Sequence, residues 1–171
     1  MSAVNKPEVW LRGPLPGITP ALQPVAHALL QAREEFNELM KDFNGELLWQ
    51  RPAGAASPGF HLQHLTGVLE RLFSYAKGKM LTESQLKQLA AEGKHDNPGQ
   101  TVQYLVAQFN EQVDKSLVQL SETSADELFE IRTVGRAKIP STVIGLLFHA
   151  AEHTMRHLGQ LLVTLKVVSR N

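Results

Sequence analysis

Two histidines near the end of the chain, His153 and His157, have a spacing suited to metal binding. The segment reads His149-Ala-Ala-Glu152-His153-Thr-Met-Arg-His157. On an α-helix, residues four apart lie on one face, one turn from each other, so these two imidazoles could share one ion. A third histidine, His64, lies on a separate predicted helix and could complete a triad. Three neutral imidazoles with an open coordination position are a standard way to build a reactive divalent-metal site.

The helical angles of these histidines favour a catalytic ion over a purely structural one. With Leu147 at the centre of the apolar face, His157 lies roughly 80° from that centre, His153 near ~120° and His149 near ~160°. Gln160 lies on the same side of the helix, at about 140°. His157 is then at the edge of the core and His149 faces farthest from it. An ion bound by His153 and His157 would lie at a groove edge that is open to substrate.

Other side chains on the two predicted site helices could orient a ligand or move a proton. His61 shares a helix face with His64 and is a candidate for a second ligand or for a group that holds a ligand. We predict His61, Glu152 and Gln160 as candidate catalytic residues that support the metal. On the helix of His64, residues near Arg71 could meet an anionic substrate.

A rival pattern overlaps the same segment. His149-Ala-Ala-Glu152-His153 matches the H-x-x-E-H pattern of inverted zinc peptidases. In that hypothesis His149 and His153 bind zinc, and Glu152 is the general base. The helical angles point His149 away from the core, and little chain follows His153 to supply a third ligand and a substrate cleft.

Composition excludes several other classes of function. The chain has 171 residues, with 17 basic and 17 acidic side chains, and therefore no net formal charge. A neutral chain lacks the electrostatic attraction for nucleic acid or an acidic membrane surface. The absence of cysteine excludes disulfides, thiolate ligands and a cysteine nucleophile. The first 17 residues do not resemble a secretory signal, and no apolar run approaches a membrane span. We expect a cytoplasmic protein that acts on a small molecule.

Four amphipathic helices are predicted to position the histidines. Apolar residues recur at i, i+3, i+4 and i+7 in four segments, which begin near Leu22, Phe60, Val102 and Ile144. Capping residues followed by proline or a second hydroxyl mark the four starts: Thr19-Pro20, Ser57-Pro58, Asn97-Pro98 and Ser141. The pattern predicts an all-α fold, a four-helix bundle. Residues 81–92 predict a short extra helix closed by Gly93, and residues 129–138 a strand-like excursion.

The predicted organisation is an N-terminal arm over residues 1–18 and one domain over residues 19–171. The chain is long enough for one substantial core and too short for two comfortable domains. Prolines and glycines concentrate in the arm and in the loop of residues 44–57, outside the predicted helices.

Two segments resemble a known family. Trp49-Gln-Arg-Pro-Ala-Gly-Ala-Ala-Ser57-Pro58-Gly-Phe-His61-Leu-Gln-His64-Leu is similar to the segment that enters the second helix of the DinB/YfiT-like superfamily. His153-Thr-Met-Arg-His157-Leu-Gly-Gln-Leu resembles its closing helix motif. The resemblance covers most of the chain in the same order.

The resemblance implies a DinB-like four-helix bundle, often a homodimer, that holds a divalent metal. Carried over by position, the implied ligands are His64, His153 and His157, which agrees with the spacing argument. Relatives include transferases and isomerases that use low-molecular-weight thiols such as bacillithiol or mycothiol. Zinc and nickel are the natural candidates for imidazole ligands.

Two hypotheses of function follow. The first is a metal-dependent enzyme, a thiol S-transferase that activates a low-molecular-weight thiol cosubstrate. The second is a non-catalytic metal-binding or dimerisation bundle with a stress-related role. They differ in whether an acid–base or anion-binding group stands beside the open coordination position.

Overall fold

Five α-helices and one β-hairpin make up the fold in a computed structural model that describes residues 6–170. The helices are α1 (Gln23–Met40), α2 (Pro58–Ala76), α3 (Glu83–Ala91), α4 (Val102–Glu122) and α5 (Val143–Val168). The strands are β1 (Ile131–Val134) and β2 (Ile139–Thr142), which pair antiparallel with Ile131 opposite Thr142. Short 3-10 turns cover Val9–Arg12, Pro20–Leu22, Gly45–Leu47, Pro52–Gly54 and Ala125–Glu127.

The four long helices form the predicted bundle, so the all-α fold class is confirmed. Helix α2 packs against α5 and α4, and α1 packs against the same two helices. The cyclic order is therefore α1, α5, α2, α4, and it makes α2 and α5 neighbours. Phe36 of α1 and Phe109 of α4 are fully buried, with ring centroids 4.5 Å apart, and they anchor the core between these helices.

Hydroxyl caps start every described α-helix except α1, and one of the four predicted starts is confirmed without change. The Ser57 side chain accepts a hydrogen bond from the Phe60 N–H, with Pro58 as the first helical residue. At the first helix, Thr19 makes no side-chain cap. Pro20 begins a 3-10 turn instead, and α1 starts three residues later at Gln23.

The predicted caps Asn97 and Ser141 were wrong by four residues and by one residue. The Asn97 side chain accepts from the Gly99 N–H and closes a local turn, so α4 begins later, at the Thr101 cap. Ser141 lies in β2 opposite Arg132, and the following Thr142 caps α5 through the Gly145 N–H. In both places the local turn or strand uses the residue that the sequence pattern had assigned to the helix.

The segments between the long helices match their predictions. Helix α3 occupies most of residues 81–92, and Gly93 follows it with a positive φ of 78° that suits glycine. The strand-like segment 129–138 contains β1.

Residues before α1 pack onto that helix. Val9 is buried, and its N–H donates to the Gln31 side chain. Arg12 donates two hydrogen bonds to the carboxylate of Glu34 and lowers the pKa of Glu34 to about 2. Residues 1–5 and 171 lie outside the described residues, and the division into an arm of residues 1–18 and a domain of 19–171 stays a prediction.

No helix within residues 6–170 combines the length and the hydrophobicity that crossing a membrane requires.

Candidate metal centre

Packing of α2 against α5 brings the predicted ligands together. His64 lies two turns into α2, and His153 and His157 lie on consecutive turns of α5. One nitrogen from each of the three rings lies within 4.8 Å of the others. The Nε2 atoms of His64 and His153 are 2.9 Å apart, and the ring centroids of His64 and His157 are 4.4 Å apart. All three side chains are partly buried, as expected at the edge of the core.

A carboxylate that the sequence analysis did not select holds the ring of His64. The Nδ1 atom of His64 is 2.7 Å from Oε2 of Glu92, which follows the last residue of α3. Burial alone would raise the pKa of Glu92, but hydrogen bonds from His64 and Arg71 and the charge of Arg71 lower it overall. An ionised carboxylate can only accept, so Nδ1 of His64 donates, and in a neutral ring Nε2 then keeps its lone pair. A carboxylate in this position orients a metal-binding histidine and fixes its tautomer.

One sequence signal could have indicated Glu92. An acidic residue at the C-terminal end of a helix is placed against the negative end of the helix dipole. Such a position calls for a compensating positive or hydrogen-bonding partner.

Arg71 is that partner, which corrects the hypothesis that its surroundings meet an anionic substrate. Its Nη1 atom is 2.7 Å from Oε1 of Glu92, and both side chains are more than 90% buried. A buried guanidinium already paired with a carboxylate is not available to a substrate. Arg71 instead balances the charge that holds His64.

His61 contacts His157 and lies away from solvent. It is 3% exposed, and its Nδ1 atom is 3.2 Å from Nδ1 of His157. Burial, with a smaller effect of His64, lowers the pKa of His61 to about 4. Burial and the neighbouring histidines lower the pKa of His157 to about 4 as well. Both rings are therefore neutral at neutral pH, as metal binding requires.

Phe60 forms an aromatic wall beside the histidines. Its ring stacks on that of His64, with centroids 5.2 Å apart and planes within 12°. It also meets His61 edge-on at 5.5 Å and lies 6.4 Å from His157. This apolar surface restricts ring motion and limits water on one side of the cluster.

The remaining predicted residues lie on the outer side of α5. Nδ1 of His149 is 2.7 Å from Oε1 of Glu152, and Arg156 donates to both oxygens of that carboxylate. These bonds, led by that from Arg156, lower the pKa of Glu152. A carboxylate paired in this way is a poor general base, which disfavours the peptidase hypothesis. Gln160 is exposed and makes no described side-chain hydrogen bond.

The sequence matches a known protein family. The sequence model of the DinB superfamily matches residues 28–161. The chain belongs to the DinB superfamily. A comparison with curated proteins finds no significant match. The superfamily match spans both histidine helices, from within α1 to within α5.

The donor set of this DinB-superfamily member fits a divalent cation. Nε2 of His64 carries a lone pair, and it faces Nε2 of His153 at 2.9 Å. Two imidazole lone pairs repel at this distance unless a proton or a cation lies between them. Three neutral imidazoles also suit zinc, nickel and related ions. The cluster could therefore hold a metal ion; that these three residues do so stays a prediction.

Gly67 leaves the space that the Glu92–Arg71 pair occupies. A Cβ atom at this position of α2 would lie 2.5 Å from Nη1 of Arg71 and 2.6 Å from Oε1 of Glu92. We expect Gly67→Ala to displace the pair, release His64 and weaken cation binding about tenfold. Cobalt(II) or zinc titration would measure this change.

Gly159→Ala is the matched control, because a Cβ there meets nothing within 4 Å. Alanine gains about 1 kcal/mol of helix propensity over glycine at an open helical site. The control should stabilise the protein and leave cation binding unchanged. Equal cation affinity in the two alanine variants would contradict the role of Gly67.

Proposed function

We propose that this DinB-superfamily member is a divalent-metal-dependent enzyme, a thiol S-transferase with its centre at His64, His153 and His157. The observation on which the proposal rests is the convergence of three ring nitrogens within 4.8 Å, with His64 held by Glu92. A carboxylate that orients a ligand is typical of an organised metal site rather than of a chance group of histidines.

Each supporting residue has a defined part in this proposal. Glu92 accepts from Nδ1 of His64, so that Nε2 of His64 is the ligand atom. In the proposed tautomer Nδ1 of His157 donates to Nδ1 of His61, which leaves Nε2 of His157 as a ligand atom. His61 is thus a positioning residue, because its burial keeps it from contact with a substrate.

A divalent cation at this position supplies Lewis acidity, which lowers the pKa of a thiol or water bound to it. The chain has no cysteine, so the reacting sulfur arrives with a low-molecular-weight thiol cosubstrate. Zinc or nickel is the proposed metal.

The outer residues of α5 have proposed roles toward the substrate. Glu152, Arg156 and Gln160 lie on its partly or fully exposed side. Glu152 can orient the cosubstrate or accept a proton once its bonds to Arg156 open. Gln160 can offer an amide to a polar group. The substrate is a small molecule and the assembly a homodimer in this proposal.

Metal content tests the centre. Elemental analysis of protein purified without a histidine tag is expected to find close to one divalent ion per chain. His153→Ala should lose it, because two imidazoles bind far less tightly than three. His27→Ala, which removes a histidine of α1, should keep it. A wild-type chain that takes up neither zinc nor nickel when offered would overturn the proposal.

Turnover tests catalysis. Bacillithiol or mycothiol with 1-chloro-2,4-dinitrobenzene gives a thioether: sulfur bonds to the aromatic carbon, chloride leaves and the thiol proton passes to solvent. We expect a metal-dependent rate that His64→Ala abolishes and that a chelator removes.

One observation favours the second candidate, a non-catalytic metal-binding bundle. Glu92 and Arg71 are paired with each other, and Glu152 with Arg156 and His149. These charged groups are therefore already engaged with each other, and none of them is an unpaired charge that awaits a substrate. Stoichiometric metal without turnover of any thiol would establish this alternative.

A further inference from the structure

A second group of possible ligands shares one histidine with the proposed centre. His149, Glu152 and His153 offer one ligand atom each, and these atoms lie within 4.8 Å of one another. We call this the outer cluster, and His64, His153 and His157 the inner cluster. Both contain His153.

The outer cluster is more exposed to solvent than the inner cluster. The side chain of His149 is 49% exposed and that of Glu152 is 35% exposed, against 16% for His64. Along α5 the rings of His149, His153 and His157 follow each other at centroid distances of 5.3 and 4.5 Å. They form a continuous row of imidazoles from the surface to the inner cluster.

His153 is the least constrained ring of the inner cluster. The Nδ1 atom of His64 is held by Glu92, and that of His157 contacts His61. Nδ1 of His153 is buried and has no hydrogen-bond partner in the described part of the chain. Within the described residues no hydrogen bond at this second nitrogen therefore opposes a turn of the ring toward either cluster.

Arg156 keeps the outer cluster a weak site. It donates two hydrogen bonds to the carboxylate of Glu152, at 2.7 and 2.9 Å. A cation must displace this guanidinium to bind Glu152, and the positive charge of Arg156 repels it. A weak, exposed site next to a more buried triad is suited to bind a cation briefly and pass it on, rather than to hold it.

We propose that the outer cluster is a loading site, which captures the divalent cation from solvent and transfers it through His153 to the inner cluster. This inference rests on the proposed metal centre. His149 and Glu152 provide the first contacts, and His153 stays bound while His64 and His157 replace them. In this scheme His153 serves one cluster at a time, so the protein binds one cation and not two.

A loading site changes rates without changing the equilibrium. An intermediate on the path affects association and dissociation by the same factor, while the affinity depends only on the end states. We expect His149→Ala to slow both cobalt(II) association and its dissociation at least about tenfold, as capture sites can raise on-rates by that factor or more. The dissociation constant should not change.

Stopped-flow mixing with cobalt(II), followed by its visible absorption and by chelator chase, gives both rates in the full chain. Glu152→Gln should slow both rates like His149→Ala, and His27→Ala should match the wild type. The proposal is overturned by an unchanged association rate in His149→Ala, by weaker affinity with faster dissociation, or by two bound ions per chain. Failure of the wild-type protein to bind any cobalt(II) would instead overturn the proposed metal centre.

Discussion

Glu92→Ala is expected to lower the free energy of unfolding by about 3–5 kcal/mol, because it leaves the buried charge of Arg71 without a partner. The guanidinium and carboxylate are both more than 90% buried, so solvent screens an unpaired guanidinium poorly. The same change should weaken cation binding by about 10–100-fold, because the ring of His64 loses its acceptor. Urea denaturation of the metal-free protein and zinc titration of the folded protein would measure the two effects separately.

Glu34→Ala is the matched control, since this carboxylate also pairs with an arginine. Arg12 donates two hydrogen bonds to Glu34, yet the carboxylate is 38% exposed. Water screens an exposed pair, so we expect a loss of about 1 kcal/mol or less and no change in cation affinity. Arg12 lowers the pKa of Glu34 to about 2. We still expect Glu34→Ala to lose less unfolding free energy than Glu92→Ala, because an exposed arginine without its partner is solvated by water. A greater loss in Glu34→Ala than in Glu92→Ala would contradict the assignment.

Addition of zinc is expected to stabilise the wild-type protein by about 4 kcal/mol when free zinc exceeds its dissociation constant a thousandfold. The gain follows from mass action, because the folded chain assembles three imidazoles that the unfolded chain leaves apart. Thermal or urea unfolding with and without a chelator measures it. His153→Ala should show almost none of the gain. Equal stabilisation of the variant and the wild type would mean that zinc binds elsewhere.

Acid should destabilise the metal-free protein through the same rings. Burial lowers the pKa of both His61 and His157 to about 4, while the unfolded chain binds these protons near pH 6.5. Between about pH 6.5 and pH 4 the unfolded state therefore holds more protons, so stability falls as the pH falls through this window. His61→Gln should make that dependence shallower. Stability that is flat or rises on acidification would contradict the neutral, buried state of these rings.

Helical periodicity was sufficient to predict that His64, His153 and His157 come together, but not which side chains support them. His153 and His157 lie on one helix, where a rotation of ~100° per residue decides which side chains share a face. His64 was selected as a histidine on a separate predicted helix, and the family resemblance implied the same residue. Glu92 was missed because it approaches from the connection between two bundle helices, and no periodic pattern relates it to His64. Arg71 was misjudged for the same reason.

Errors at the helix starts have a local cause. Asn97 and Ser141 are both acceptable caps, but a turn engages the first and β2 contains the second. The hydroxyl nearest the actual start, at Thr101 or Thr142, then caps the helix. Pairing between strands and turn closure involve neighbours that a single helical pattern does not describe.

The segment that links α2 to α4 carries Glu92, so an ion bound at the proposed centre would be coupled to the folding of this segment onto the bundle. Gly93 donates its N–H to the Gln63 side chain at 2.6 Å, directly beside Glu92, so the end of α3 is fastened to α2. Coupling free energies are reciprocal. If the contact of Glu92 with His64 strengthens ion binding by a given free energy, ion binding stabilises the packing of this segment on the bundle by the same amount. Slower hydrogen exchange of the Gly93 N–H when metal binds would show this coupling directly. The connection between α2 and α4 would then contribute to metal affinity as well as joining two helices.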